Sequence, residues 1–288
     1  MDVSIIIPCH NAADQIGTQL DALAAEECPD DWGVVVVDDG STDALESVVR
    51  RYQHRLPGLV LVKLPRRSGT GAARNAGARA SAAAKLLFLD ADDLIASGYL
   101  KAMTVALADG DLIGSRIDYS RLNSEETLRR CPPKQLGEVP SATRFLPVVP
   151  GGLMGLSRAL FDEVGGFDEA LPALADLDLC FRAQLAGRAI HMADTVVSVR
   201  MRSSSRGHLR RGLFQGRDVV LLREKFLAHG LDPVTWPSHL KACLKVLMST
   251  PMMLGRARRW QLAWDLGWHI GVLSGLMARR ERDRDVRT

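Results

Sequence analysis

Short apolar runs alternate with amphipathic helical patterns over the first 115 residues of the chain. The runs are Val3 to Ile7, Val34 to Val37, Leu59 to Val62, Leu86 to Leu89, and Leu112 to Ile113. Between the first runs, apolar residues recur three and four positions apart, which gives each intervening segment one apolar helical stripe. Strands that are apolar on both faces and alternate with helices predict an α/β fold with a mostly parallel, Rossmann-like sheet covered by helices on both faces.

The composition is that of an ordinary globular protein. Of 288 residues, 47% are hydrophobic and 25% are charged, which excludes a disordered or fibrous chain. The formal net charge of +3 is too small for the dense basic surface of a non-specific nucleic-acid binder, so no nucleic-acid partner is expected. The five cysteines show no CxxC spacing and predict neither a disulfide framework nor a thiolate zinc site.

The N-terminus and the longest apolar stretch indicate the compartment in which the protein is expected. The N-terminus lacks the basic segment and long apolar core of a signal peptide. The stretch that comes nearest to a membrane span, Leu266 to Ala278, has 13 residues and is more typical of a core or interfacial helix. We therefore expect a protein of the reducing cytoplasm.

Carboxylates follow two of the apolar runs directly. Asp38 and Asp39 come after the second run, and Asp90, Asp92 and Asp93 come after the fourth. Ligands of parallel sheets bind beyond the carboxyl ends of the strands, and clustered carboxylate oxygens there hold a hard divalent cation such as Mg²⁺ or Mn²⁺. The alternative is that these acids form turns or cap helices.

A glycine-rich segment, Gly69 to Gly77, follows the third apolar run. It does not fit the dinucleotide pattern GxGxxG, because Arg74 stands where that pattern needs a glycine. A glycine turn at a helix start still offers backbone N–H groups to an anion, and Arg74 adds a charged donor. The alternative is a tight turn in which Arg74 pairs with Asp90 or Asp92.

Asp176 stands at the head of a helical pattern in the second half of the chain. The position of Asp176 allows two interpretations. Asp176 caps the helix, or it is a carboxylate that faces a substrate hydroxyl group and serves as a general base.

Six motifs in one order together resemble the family 2 inverting glycosyltransferases of GT-A fold, over about Val3 to Arg200. They are Val3 to Asn11, Val37 to Asp43, Gly71 to Gly77, Phe88 to Asp93, Gly165 to Glu169, and Asp176 to Leu179. The resemblance implies a nucleotide-sugar donor, with uracil as the typical base, bound with the help of Mn²⁺ or Mg²⁺. It also implies transfer of a hexose-type sugar with inversion of configuration.

The resemblance assigns roles to residues of five of the six motifs. Asp176 is the expected base, and Asp92 with Asp90 is the expected metal site. Asp39 is expected to receive the nucleotide base, and Arg74 to contact the base or the diphosphate. The full set expected at the donor nucleotide is Pro8, His10, Asn11, Asp39, Gly71, Arg74, Asp90 and Ala91.

The chain departs from the family pattern at two places. Ala175 stands where relatives usually carry a glutamate before the base, which affects acceptor recognition. Relatives also carry a histidine after the last core strand, where this chain has Arg200 and Arg202. These arginines are expected to contact the diphosphate or the acceptor, and the alternative is a solvated basic face.

We divide the chain into a catalytic domain, 1–205, and a helical C-terminal extension, 206–288. Within the first, 1–115 is the nucleotide-binding half and 116–205 the acceptor-binding half, and proline-rich 121–150 predicts a surface loop. Trp260, Trp264 and Trp268 repeat every four residues beside a glycine stripe at 267, 271 and 275. These stripes indicate contact with the inner membrane face, or packing on the catalytic domain or across a homodimer.

Three classes of acceptor remain open: a carbohydrate, a lipid-linked intermediate and a small metabolite. Two other functions also stay open. A sugar nucleotidyltransferase uses metal and carboxylates on a similar sheet, but it usually has a glycine-rich basic loop where this chain has Pro8 to Asn11. A non-catalytic GT-A-like binding subunit is suggested only by the missing acid at Ala175.

Overall fold

The apolar runs of the sequence form the centre of one sheet. The computed structural model describes residues 1–28, 30–130, 145–253 and 259–285. In these residues the strands are β1 (Val3–Cys9), β2 (Trp32–Asp38), β3 (Val60–Lys63), β4 (Lys85–Leu89), β5 (Leu94–Ile95), β6 (Leu112–Asp118), β7 (Leu153–Ser157) and β8 (Ile190–Ser198). Their order across the sheet is β3-β2-β1-β4-β7-β6-β8-β5.

The first four strands in that order run parallel. β1 pairs with β2 and β4, and β2 pairs with β3, so the ends of all four strands meet at one edge. β7 is antiparallel to its neighbours β4 and β6, whereas β6 and β8 are parallel. The predicted mostly parallel α/β sheet is confirmed, and the reversed strand β7 is a feature that the apolar pattern did not reveal.

The helices cover this sheet and form the C-terminal region. They are α1 (Ile16–Ala24), α2 (Leu45–Arg50), α3 (Thr70–Arg79), α4 (Tyr99–Asp109), α5 (Glu125–Arg130), α6 (Arg158–Glu163), α7 (Ala175–Leu185), α8 (Ser205–Lys225), α9 (Trp236–Met253) and α10 (Arg259–Asp285). In α1 the predicted stripe of Ile16, Leu20 and Leu23 is fully buried, as an amphipathic helix on a sheet requires.

The predicted surface loop over 121–150 is wrong in its first part. There α5 begins after Ser124, whose hydroxyl oxygen accepts a hydrogen bond from the Thr127 N–H group at 3.2 Å. A polar helix this short has no apolar periodicity, so only the cap could have indicated it. Three of the prolines that suggested the loop, Pro132, Pro133 and Pro140, lie outside the described residues.

Gly77 lets α3 lie directly on the sheet. A Cβ atom at this position would meet the side chain of Ile6 and would lie 3.0 Å from Cγ2 of Val37. Both partners are buried branched side chains in the centre of the sheet, which have no open space to move into. The glycine therefore sets the distance between α3 and the strands β1 and β2.

The described residues fall into two units, which differ from the predicted division. The first unit holds the sheet and comprises 1–122, 145–170 and 175–200; the second comprises 123–130, 171–174, 201–253 and 259–285. Three short segments inside the predicted catalytic range, 123–130, 171–174 and 201–205, therefore group with the C-terminal helices. The assignment of catalysis to 1–205 stays a prediction.

Within the second unit, glycines bring α8 and α10 into backbone contact. A Cβ atom at Gly212 or Gly216 would meet the carbonyl oxygens of Trp264 or Trp268, and one at Gly271 would meet the carbonyl oxygen of Leu213. The glycine stripe of α10 thus packs on α8 of the same chain, and Trp260 stacks on His208 of α8 with ring centroids 5.4 Å apart. In the described residues, no helix is both long enough and apolar enough to span a membrane.

We expect Gly77→Ala to lower the free energy of unfolding by about 1–3 kcal/mol, because the added methyl group overpacks the contact between α3 and the sheet. Chemical denaturation of the purified protein measures the change. Gly17→Ala in α1 is the matched control, since its Cβ atom would meet only the Tyr52 hydroxyl oxygen at 3.4 Å. The control is expected to be neutral or slightly stabilising, as alanine favours helix. Equal effects of both substitutions would contradict the close-packing argument.

Candidate functional site

The ends of β1 and β2 are joined by hydrogen bonds between their following turns. His10 Nδ1 lies 2.9 Å from the backbone carbonyl oxygen of Asp39. Asn11 has a positive φ of 53° and accepts a hydrogen bond from the Thr42 N–H group at 2.8 Å. The Asn11 N–H group in turn donates to the Ser41 hydroxyl oxygen at 3.0 Å. Two predicted donor-site residues, His10 and Asn11, therefore lie beside the acidic end of β2.

Asp39 is buried and connects β2 to the start of α3. Its two carboxylate oxygens accept hydrogen bonds from the backbone N–H groups of Ser68 and Gly69, at 2.6 and 2.9 Å. Asp38 forms a turn, because its Oδ1 accepts from the Ser41 N–H group at 2.8 Å. Asp38 thus forms a turn, as the alternative interpretation predicted, whereas Asp39 joins β2 to the glycine-rich segment about 30 residues further along the chain.

Arg74 is buried in α3 and forms an ion pair with Asp90 at the end of β4. Its Nη2 lies 2.7 Å from Asp90 Oδ1, and its guanidinium carbon lies 5.4 Å from the centre of the Phe167 ring. A Cβ atom at Gly151 would clash with the Arg74 guanidinium, and one at Gly152 would lie 2.5 Å from the Asp90 carboxylate carbon. The structure pairs Arg74 with Asp90, one of the two carboxylates named in the alternative interpretation, and a glycine pair encloses the ion pair.

Asp176 reaches the same glycine pair from the first turn of α7. Its Oδ2 accepts a hydrogen bond from the Gly151 N–H group at 3.0 Å, and its Oδ1 accepts from the Leu177 N–H group at 3.0 Å. The carboxylate is half-buried. Asp176 and Asp90 therefore lie on the two sides of one turn, although 86 residues separate them along the chain (176 minus 90).

The end of β4 concentrates negative charge. Asp93 is buried, and its Oδ1 accepts a hydrogen bond from the Arg200 N–H group at 2.9 Å. Burial, followed by the charges of Asp90 and Asp92, raises the pKa of Asp93 to about 8. The exposed side chain of Arg200 also donates from Nε to the Asp92 carbonyl oxygen at 3.3 Å. Neighbouring carboxylates repel one another. A divalent cation binds their oxygen atoms and offsets this repulsion, so the end of β4 suits such an ion.

The segment Gly165 to Glu169 is fastened to α3 by Asn75. Asn75 Nδ2 donates to the Phe167 carbonyl oxygen at 2.8 Å, and Asn75 Oδ1 accepts from the Phe167 N–H group at 2.9 Å. From the other side, Arg182 of α7 donates to the Gly166 carbonyl oxygen at 2.7 Å. These bonds fix the Phe167 ring that lies against Arg74.

Of the other residues predicted for the site, three lie in the first unit near this region. Gly71 is buried, and a Cβ atom there would lie 3.3 Å from Cβ of Ala175. Ala91 is buried directly after Asp90, and Pro8 is half-buried in β1. Arg202 belongs to the second unit, where its carbonyl oxygen lies 2.9 Å from His208 Nε2.

Two cysteines in the first unit lack the properties of nucleophiles. Burial raises the pKa of the Cys180 thiol to about 12, and burial raises the pKa of Cys9 well above its ordinary value. Both thiols therefore stay protonated near neutral pH, and the thiolate is the reactive form of cysteine.

Sequence reasoning assigned no function to Gly151, Gly152 or Asn75, and it placed Asp93 only in the acid cluster that follows the fourth apolar run. The sequence shows the two glycines as a doublet, but their contacts with Arg74 and Asp90 join segments more than 60 residues apart (152 minus 90 is 62). Asp93 was visible as the last acid of its cluster, but its burial could not be read from the local pattern.

A sequence profile described as "Glycosyl transferase family 2" matches residues 4–165. Glycosyltransferase AglE of Haloferax volcanii is 26% identical over 198 residues, which are 68% of this chain and 65% of that protein. The amylovoran biosynthesis glycosyltransferase AmsB of Erwinia amylovora is 33% identical over 196 residues, 64% of each protein. This chain thus spans less than two thirds of the length of these relatives.

Solved structures share the fold. The mannosyltransferase PcManGT from Pyrobaculum calidifontis, in complex with GDP-Man and Mn²⁺, has a TM-score of 0.67 at 21% identity and covers 95% of this chain and 86% of its own. S. aureus TarS residues 1–349 in complex with UDP has a TM-score of 0.57 at 18% identity, over 96% of this chain and 92% of that one. At these identities the likeness concerns architecture.

We expect Asn75→Ala to lower the free energy of unfolding by about 2–5 kcal/mol, because it leaves the buried N–H and carbonyl groups of Phe167 without partners. Thermal or chemical denaturation measures the change. Glu169→Gln is the control, since it keeps an oxygen for the 3.0 Å bond from Asn75 Nδ2 and is expected to be nearly neutral. A stability of Asn75→Ala close to that of the control would show that Asn75 does not hold the segment.

Proposed function

Because the chain belongs to glycosyl transferase family 2, we propose that it transfers a sugar from a nucleotide-diphosphate donor to an acceptor hydroxyl group. The observation that carries this proposal is the meeting of Arg74, Asp90 and Asp176 around Gly151 and Gly152. That arrangement combines a paired cation, an acidic strand end and a separate half-buried carboxylate. A transferase needs these three elements to hold a diphosphate and to take a proton from an acceptor.

The acidic end of β4 fits a divalent cation. Asp92 with Asp90 would hold Mn²⁺ or Mg²⁺, and Arg74 engages one Asp90 oxygen and so fixes that side chain. When bound, the metal supplies positive charge against the diphosphate leaving group. Arg200, which donates to the Asp92 carbonyl oxygen, adds a guanidinium beside the same strand end.

Asp176 is the proposed general base. The N–H groups of Gly151 and Leu177 hold its two oxygens, so the carboxylate has a fixed orientation. It would accept the proton of the acceptor hydroxyl group while that oxygen bonds to the anomeric carbon. The bond to the diphosphate breaks on the opposite face of the sugar, and the configuration inverts.

The donor is proposed to be a UDP-sugar with a hexose-type sugar. Asp39 would receive the uracil N3–H group, beside His10 and Asn11 at the ends of β1 and β2. Support comes from the TarS structure with UDP, while the PcManGT structure with GDP-Man makes GDP the first competing nucleotide.

The proposed acceptor is a carbohydrate, a lipid-linked intermediate or a small metabolite. A lipid-linked acceptor agrees with peripheral membrane contact through the second unit, where α9 exposes Trp236, Leu240, Leu244 and Met248 at intervals of four residues. The tryptophan and glycine stripes of α10 do not supply that surface, since they pack on α8. For the same reason, a homodimer contact would have to use another face.

A second candidate function is a non-catalytic binding subunit. Its support is Ala175, which is buried against Gly71 and carries no carboxylate for an acceptor. The two functions differ in whether sugar transfer depends on Asp176.

We expect UDP binding measured by calorimetry to strengthen with Mn²⁺ in the wild type, and expect Asp92→Ala to remove this effect, at least about tenfold in Kd. ADP, CDP and GDP serve as competing nucleotides. The control Asp109→Ala removes an exposed carboxylate at the end of α4 and should bind as the wild type does. The donor-site assignment is refuted if no nucleotide binds to the folded protein with either Mn²⁺ or Mg²⁺.

We expect Asp176→Asn to lower sugar transfer by about 10²- to 10⁴-fold, the usual contribution of a general base. UDP release from UDP-glucose and UDP-GlcNAc with a panel of acceptors measures the rate, and calorimetry should show that UDP binding is retained. Asp162→Asn, an exposed acid on α6, is the control. If Asp176→Asn transfers sugar at the wild-type rate, Asp176 is not the general base. If the wild-type protein binds nucleotide but transfers no sugar, the result favours the non-catalytic binding subunit.

A further inference from the structure

A histidine and a cysteine one turn apart on α9 meet a second histidine on α10. Cys243 Sγ lies 3.4 Å from His239 Nε2 and 3.5 Å from His269 Nδ1. The two imidazole rings have centroids 5.1 Å apart at an interplanar angle of 48°. One possible ligand atom from each residue lies within 4.8 Å of the other two. All three residues belong to the second unit, whereas Asp39, Arg74, Asp90 and Asp92 of the proposed donor site belong to the first.

These distances match the edges of a metal coordination tetrahedron. In zinc sites, the Zn–S bond is about 2.3 Å and the Zn–N bond about 2.1 Å, so a sulfur and a nitrogen ligand lie about 3.6 Å apart. The two measured S···N distances, 3.4 and 3.5 Å, differ little from this value. Two edges of the cluster thus have the length found in a tetrahedral site, and one ligand atom from each residue lies within 4.8 Å of the other two.

We propose that His239, Cys243 and His269 form a zinc-binding site that ties α9 to α10. Thiolate and imidazole ligands favour Zn²⁺ over the hard cations Mg²⁺ and Mn²⁺, which prefer oxygen. The cluster offers three protein ligands within the described part of the chain, and water completes the tetrahedron. Cys243 and His269 are half-buried and His239 is buried, so one side of the site faces solvent and the ion has a path of entry.

The protonation states follow from coordination. Zinc binding requires the Cys243 thiolate, so one proton leaves the thiol for the solvent when the Zn–S bond forms. The histidines bind through neutral imidazole nitrogen atoms.

This site differs in chemistry and in place from the acidic end of β4. The proposed donor site uses carboxylate oxygens of the first unit, whereas the cluster uses sulfur and nitrogen of the second. The sequence does not show these ligands as a motif, because Cys243 and His269 are 26 residues apart and no CxxC pair is present. The zinc site is therefore independent of the proposed sugar transfer.

The test uses the full chain without an affinity tag, because a histidine tag binds the same metals. The protein is freed of metal with a chelator and titrated with Co²⁺, a spectroscopic substitute for Zn²⁺. We expect one equivalent to produce the near-ultraviolet thiolate-to-cobalt charge-transfer band and the intense visible bands of tetrahedral coordination. Zn²⁺ should then displace the cobalt and abolish both.

Two variants remove ligands, and two serve as controls. Cys243→Ser should lose the charge-transfer band, and His269→Gln should weaken Zn²⁺ binding by more than the roughly 10- to 100-fold cost of losing an outer-shell partner. Cys28→Ser, a half-buried cysteine of the first unit, and Asp92→Ala should keep the bands. Circular dichroism confirms that each variant is folded.

Two results would refute the zinc site. Folded wild-type protein that shows no charge-transfer band with Co²⁺ contains only a hydrogen-bonded cysteine–histidine network. A band that persists in Cys243→Ser belongs to another thiol and also refutes the assignment. Loss of UDP binding in Asp92→Ala with the cobalt bands intact would show that the two sites are independent.

Discussion

The ion pair between Arg74 and Asp90 organises the candidate site. A buried guanidinium is costly unless it is paired, so Arg74 requires a carboxylate at the end of β4. The pair in turn requires Gly151 and Gly152, because side chains there would occupy the same space. The backbone at Gly151 then donates to Asp176. One contact therefore couples α3, β4, the turn before β7 and the first turn of α7.

Local periodicity was enough to predict the parallel half of the sheet. The runs at Val3 to Ile7 and Val34 to Val37 became β1 and β2 because their side chains are buried on both faces. The acids after the second and fourth runs lie at one edge, since parallel strands end together. The glycine-rich segment opened α3 as expected, and the resemblance of six motifs to one family agrees with the profile match over 4–165.

The rest of the structure depends on contacts between distant segments. β7 is a short strand whose direction is set by its neighbours, and no local pattern encodes that direction. The glycines of α10 allow close approach to any helix, so their spacing could not distinguish α8 of the same chain from a partner or a membrane. The cluster of His239, Cys243 and His269 likewise exists only because two helices meet.

The reversed direction of β7 has a consequence for how the chain acquires its site. Because β7 runs against β4, the turn that enters it lies beside the end of β4, and the pairing joins Leu87 to Gly155 across 68 residues (155 minus 87). Closing so long a loop is slow, and pairings of this kind form late. During synthesis, β1 to β4 therefore leave the ribosome well before β7 can join them. Until then the nascent sheet has an open edge at β4, and an unpaired strand edge is a place where a chaperone or another chain binds.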